Sequence, residues 1–252
     1  MGYTISKISN YGCAHPVVAR LVVQTQELLK WASLSEEERG AAFDIYYGLK
    51  GRLIKCHETY DRLSAALKKS FDGYQPDQDS TIKFHPLIIG IDNELETFLY
   101  ESKNFLRDLL GIVKIFFDTK FIDANVFYNT KTDCDGELIK WATKTFGPTD
   151  PFTKMLVSDQ PWIGELIRKR NAIEHPGGKS GTLNIINIEQ SPDSRYVLPV
   201  WHRDSMNPTG IFPDVEVTLD NLLTLAEEML VHCITHKNHF GDFIAFSEIA
   251  ES

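Results

Sequence analysis

The stretch SEEERGAAFDIYYGLKGRLIKCHETYDRLSAAL, Ser35 to Leu67, decides the fold. Within it Ala42, Tyr46, Leu49, Leu53, Cys56, Tyr60, Leu63 and Leu67 recur in alternating steps of four and three. That spacing lines one face of a helix and makes a sustained heptad seam. Ser33 with Glu36 and Ser35 with Glu38 each fit a capping box at its start. Gly48 and Gly51 weaken the helix and offer places for a kink.

A second seam follows at the same spacing, through Leu95, Leu99, Ser102, Leu106, Leu109, Val113 and Phe116, in a helix expected from about Pro86 to Phe121. Phe98 and Phe105 widen its apolar face. The polar segment Phe71 to Pro86, with Gly73, Pro76 and several aspartates, reads as the loop between them. Two long helices with matching seams and one connecting loop make an antiparallel hairpin.

Around this hairpin the sequence predicts a first helix at about Pro16–Ala32 and a shorter one at about Gly136–Thr145. Pro151–Val157 reads as a short helical segment, followed by a separate helix opening at Pro161. After Gly181 the pattern becomes β-branched. Leu183–Ile188 and Tyr196–Trp201 read as strands about the turn Ser191-Pro192-Asp193-Ser194, with Pro199 marking an edge strand. Val215–Val217 reads as a third short strand, and the last helix as running from Thr218 or Leu219 to about His236. The expected fold is all-α: one domain over residues 1–252, a helical bundle with a small β-hairpin insert at about 182–217 before the last helix.

The chain has 252 residues, 42% hydrophobic and 24% charged, enough for one substantial core. Its formal charge of −9 argues against a globally basic nucleic-acid binder, while Arg168, Lys169, Arg170 and Lys179 supply a local basic cluster. No signal-peptide pattern opens the chain and no apolar run reaches membrane-spanning length, so a cytoplasmic protein with no membrane partner is expected. The four cysteines, Cys13, Cys56, Cys134 and Cys233, are scattered without a CxxC pair, as in reduced packing thiols.

The chemistry concentrates in Arg168-Lys169-Arg170-Asn171-Ala172-Ile173-Glu174-His175-Pro176-Gly177-Gly178. Arg170 falls on the apolar stripe of Ile163, Leu166, Ile167 and Ile173, where an arginine needs a carboxylate, a cleft or a subunit boundary. Arg168 and Lys169 read as solvated charges. On a continuing helix, five residues place two side chains about 140° apart. His175, however, precedes Pro176 and is pushed out of the α region, so its ring can turn toward Arg170. A histidine can move protons at a ribose 2′-hydroxyl, and an arginine can grip a phosphate through parallel donors. Asn171 can donate to the phosphate or orient the histidine.

Arg170, Asn171 and His175 resemble the signature of the HEPN superfamily, the higher eukaryotes and prokaryotes nucleotide-binding domains. That signature is an arginine, a polar residue directly after it, and a histidine after a short gap. The resemblance implies a helical bundle that dimerises and a metal-independent endoribonuclease of toxin–antitoxin or phage-defence type. It implies RNA as partner, with an antitoxin or another protein as a further partner, and no cofactor or metal. Arg170, His175 and Asn171 are then the catalytic residues. A non-catalytic helical scaffold for a nucleotide, RNA or protein is the alternative, and it expects Arg170 in a closed ion pair away from any cleft.

Three further groups bear on the site. Glu94, Glu96, Glu101 and Asp108 on the second seam helix are candidates to neutralise Arg170 or orient His175. Glu228, His232, His236 and His239 recur near the end of the last helix at spacings that would let them hold a transition metal. Trp201-His202-Arg203 could stack on and hold a nucleotide, or simply end a strand in the core.

Overall fold

The computed structural model describes residues 10–72, 85–129, 134–191, 193 and 195–238. Helix α1 is built of three consecutive pieces, Pro16–Val18, a π-helical turn Ala19–Gln24, and Thr25–Leu29. Helix α2 spans Glu36–Phe71 and α3 spans Ile91–Phe117. Ser35 and Glu38 form the capping box of α2. The rival Ser33–Glu36 box does not form, because the Ser33 amide donates to Asn238 Oδ1 at 2.7 Å.

Helices α2 and α3 pack together as an antiparallel hairpin. Arg62 meets Glu94, whereas Arg52 meets Glu101 and Asp108, so positions advance on α3 as they recede on α2. Both seams are sequestered. On α3 every residue from Leu95 to Phe116 at seam spacing is buried. On α2 Ala42, Tyr46, Leu49, Leu53, Cys56 and Leu63 are buried, with Tyr60 and Leu67 packed at the margin. Helix α3 is shorter than expected. Gly90 at φ 77° precedes it and Asp118 at φ 51° follows it, so left-handed residues bound both ends.

A 3₁₀ turn, Ala124–Val126, leads to the two-residue strands β1 (Tyr128–Asn129) and β2 (Cys134–Asp135). Helix α4, Glu137–Phe146, follows. Helix α5 then runs unbroken over Pro151–Glu174, which merges the two helical segments expected from the sequence. Its first residue is Pro151, capped by Asp150, and Pro161 sits in its interior. An interior proline removes one hydrogen bond and crowds the carbonyl four residues back. That carbonyl belongs to Val157, on an exposed part of the helix. Phe152 and Leu156 before the proline, and Ile163, Leu166 and Ile167 after it, anchor both halves in one core.

The insert contains β3 (Leu183–Ile186), β4 (Glu189–Gln190), β5 (Tyr196–Val197), β6 (Val200–Arg203) and β7 (Thr209–Gly210). The strands β3, β6 and β7 form an antiparallel sheet in that order, with Leu183 opposite Arg203 and Trp201 opposite Thr209. β6 is therefore the central strand and not an edge. Pro199 precedes it, and its carbonyl accepts the Ile211 amide at 3.0 Å. Helix α6 spans Ile211–Lys237, earlier than the sequence suggested. Val215–Val217 is its first turns and not a strand. Ile211, Val215, Leu219 and Leu222 are buried at helical spacing, and that burial overrides the local β-branched preference. The insert therefore ends at Gly210. The chain is mostly helical with this small β element, and no helix among the described residues is long and apolar enough to cross a membrane.

Candidate functional site at the end of helix α5

Helix α5 stops at His175, whose φ of −132° and ψ of 69° lie outside the helical region, as the following proline requires. Its amide still donates to the Asn171 carbonyl at 2.9 Å. The chain then doubles back. The Gly178 amide donates to the His175 carbonyl at 3.0 Å, and the Gly177 amide to Thr182 Oγ1 at 3.0 Å. Gly177 and Gly181 hold φ of 73° and 77°, a region costly for other residues. This tight turn feeds directly into β3.

The turn leaves the His175 side chain 72% exposed and places Nε2 3.4 Å from Glu174 Oε2. The same Oε2 contacts Arg170 Nη1, and Arg170 Nη2 donates to Glu174 Oε1 at 2.9 Å. Arg170 and His175 thus converge on one carboxylate. The Arg170 side chain is only 17% exposed, in keeping with its place on the apolar stripe. Burial lowers its guanidinium from the usual value, opposed by the Tyr100 and Asp123 charges. The guanidinium carbon lies 5.9 Å from the Tyr100 ring centre.

Lys103 of α3 completes the group. Its Nζ donates to Asn171 Oδ1 at 3.0 Å. An ammonium has no acceptor, so the amide oxygen must face it and the amide nitrogen is left to act as a donor. Burial pushes the Lys103 ammonium down, and the nearby Arg170 charge adds to the effect. The result is a cluster in which Arg170 and His175 meet the Glu174 carboxylate and Lys103 holds the neighbouring Asn171. Sequence reasoning brought Arg170, Asn171 and His175 together and missed Lys103 and Glu174. The i,i+4 spacing of Arg170 and Glu174 was the available signal for the latter.

The neighbouring residues depart from expectation. Lys169 is buried, paired with Asp214, and its Nζ sits 4.4 Å from the Trp201 ring centre. Arg168 donates to the Tyr128 hydroxyl and lies over that ring. Neither is a simple solvated charge, because α5 is enclosed on several sides by α3, α6 and the insert. Three of the four α3 carboxylates are engaged elsewhere, while Glu96 lines the small hollow beside the motif. Glu101 and Asp108 are held by Arg52, and Glu94 by Arg62.

A cleft of about 580 Å³ lies elsewhere, between α5, the insert and the start of α6, lined by Trp162, Glu165, Lys169, Arg203 and Asp214 among others. Arg170, Asn171 and His175 are not in its wall. Trp201 is 1% exposed and packed in the core, and Arg203 is bound by Glu165 at 2.9 Å, so the Trp201-His202-Arg203 cluster is structural at its first and third positions. A second hollow of about 210 Å³ touches Ala172, Ile173 and Pro176 beside the motif.

The histidines of α6 are engaged in packing. His232 stacks on Phe152 with ring centres 5.4 Å apart, and His236 stacks on Phe146 at 4.1 Å while its Nε2 lies 3.1 Å from Asp150 Oδ1. His239 lies outside the described residues. Among those described, no group of three His, Cys, Asp or Glu side chains could hold a metal ion. Burial pushes the Cys56 thiol up to about 12 and raises Cys233 as well, which removes both as nucleophiles.

No protein-family model, curated protein or solved structure matches this chain.

Proposed function

We propose that the protein is a metal-independent endoribonuclease of HEPN type that cleaves RNA through its own 2′-hydroxyl, acting in a toxin or phage-defence setting. The observation that carries the reading is the convergence of Arg170 and His175 on one Glu174 oxygen. A phosphodiester placed where that carboxylate sits would be gripped by Arg170 and lie within reach of the imidazole.

In this mechanism His175 takes the proton from the 2′-hydroxyl, and the 2′-oxygen attacks phosphorus. The bond to the 5′-oxygen breaks, and that oxygen leaves with a proton returned by an imidazolium. The products are a 2′,3′-cyclic phosphate and a 5′-hydroxyl. Arg170 stabilises the charge that develops on the phosphate oxygens, Asn171 donates to one of them, and Lys103 adds a second positive charge. A two-fold homodimer would bring two copies of the motif into one cleft and supply an acid beside a base.

The test is a substrate carrying a single 2′-O-methyl group at the cleaved position. Cleavage there stops if the 2′-oxygen is the nucleophile. Continued cleavage at the blocked position rules the mechanism out.

One observation favours the second reading, a non-catalytic binding or scaffold protein of the same fold. The Arg170–Glu174 pair is closed and stands away from the large cleft. That reading predicts that RNA is bound without being cut, or that a protein or nucleotide partner takes its place.

A further inference from the structure

The large cleft has its own chemistry, independent of the Arg170–His175 group. Two ion pairs stand in its wall, Lys169 with Asp214 and Arg203 with Glu165. They are oriented alike. The Lys169 and Arg203 side chains are 8% and 11% exposed, whereas those of Asp214 and Glu165 are 29% and 32% exposed. The positive charges lie behind and the carboxylates face the opening.

Both cations behind are held by partners. Arg203 gives Nε and Nη2 to Glu165 at 3.2 and 2.9 Å, and Nη1 to the Ser180 carbonyl at 3.0 Å. Lys169 gives its charge to Asp214 and to the Trp201 face. An entering anion would have to compete with Asp214 and Glu165 for these charges. Acceptor capacity, by contrast, remains. The donors from Lys169, Trp201 and Thr209 all fall on Asp214 Oδ2, none on Oδ1. His202 Nδ1 lies 2.7 Å from the Asp204 carbonyl, which can only accept, so Nδ1 carries a hydrogen. Trp162, Leu166, Pro213 and Val217 give the wall apolar and aromatic surface, and Asn207, Thr218 and Asn221 add neutral polar groups. The volume of about 580 Å³ suits a small organic molecule. The chain's charge of −9 further favours a cation.

We propose that this cleft binds a small organic cation with a flat apolar body, an aromatic amine or amidine, its ring among Trp162, Pro213 and Val217 and its charged head on Glu165 and Asp214. The specificity is for donor-bearing heads, and an acid on the same ring is excluded by the two carboxylates.

The probes are tryptamine and 3-indolepropionate, one ring with heads of opposite charge, titrated calorimetrically into the full-length protein. Tryptamine should bind at least about tenfold more tightly than 3-indolepropionate, a difference of about 1.4 kcal/mol. Val217, 56% exposed at the rim, allows the cleft to be filled without touching either ion pair. Val217→Trp should weaken tryptamine by about tenfold or more with the melting temperature unchanged. Glu165→Gln, which keeps an acceptor for Arg203, should weaken it with the cleft still open. Equal binding of the two probes, no tryptamine binding at ~1 mM, or tryptamine affinity unchanged in Val217→Trp would each overturn the assignment.

Discussion

Arg170 and His175 meet at a single oxygen of Glu174: Arg170 Nη1 contacts Oε2, and His175 Nε2 lies 3.4 Å from the same atom. In the proposed mechanism the carboxylate holds the position a phosphate would take. Glu174→Ala should therefore tighten RNA binding by about tenfold, because an internal anion no longer competes for Arg170. Arg170 is only 17% exposed, so leaving it unpaired should cost more than the about 0.3–0.5 kcal/mol of an exposed i,i+4 pair, and the melting temperature should fall. Fluorescence anisotropy with a labelled single-stranded RNA, beside a thermal melt, checks both halves.

Lys103 reaches the site from another helix and binds Asn171. Lys103→Ala should weaken RNA binding across sequences and reduce the slope of log affinity against log salt by about one. An unchanged slope would remove Lys103 from the phosphate-binding group.

The Lys169–Asp214 pair also bears on stability. Removing the lysine strands a carboxylate that also accepts the buried Trp201 indole at 2.7 Å. Asp214 is 29% exposed, which places Lys169→Met near the low end of such losses, about 3 kcal/mol. Lys169→Met with Asp214→Asn should recover part of it, because the amide removes the stranded charge and still accepts the indole. Urea denaturation of the two variants measures the difference.

Stability should depend on pH through His57 and His232. Burial lowers both, helped by His15 at the first and His236 at the second. A histidine lowered in the folded state binds protons more strongly when unfolded, whose value is about 6.5. Stability is thus full above that value and is lost as pH falls below it through the folded values. The urea midpoint should drop between about pH 7.5 and about pH 5.5. His232→Phe, which retains a ring against Phe152, should show a smaller drop.

The hairpin of α2 and α3 was legible because its signal is periodic and long: alternating steps of four and three from Ala42 to Leu67 and from Leu95 to Phe116 leave one face to bury. The turn at His175 was legible because a proline constrains the residue before it. Elsewhere tertiary contacts decided. Pro161 reads as a helix start, yet burial on both sides carries α5 through it. Val215–Val217 reads as a strand, yet Val215 completes the buried stripe of α6. Lys169 reads as solvent-facing, and only the arrival of Trp201 and Asp214 from the insert and α6 encloses it. Lys103 could not be assigned to the site from sequence, since 68 positions separate it from Asn171.

The most direct measurement is incubation of the purified protein with a panel of single-stranded and structured RNAs in EDTA, beside Arg170→Ala and His175→Ala. The account predicts fragments ending in 2′,3′-cyclic phosphate from the unaltered protein and none from either variant, with all three equally folded. Cleavage that survives His175→Ala, cleavage that requires added metal, or no cleavage of any RNA by the folded protein would contradict it.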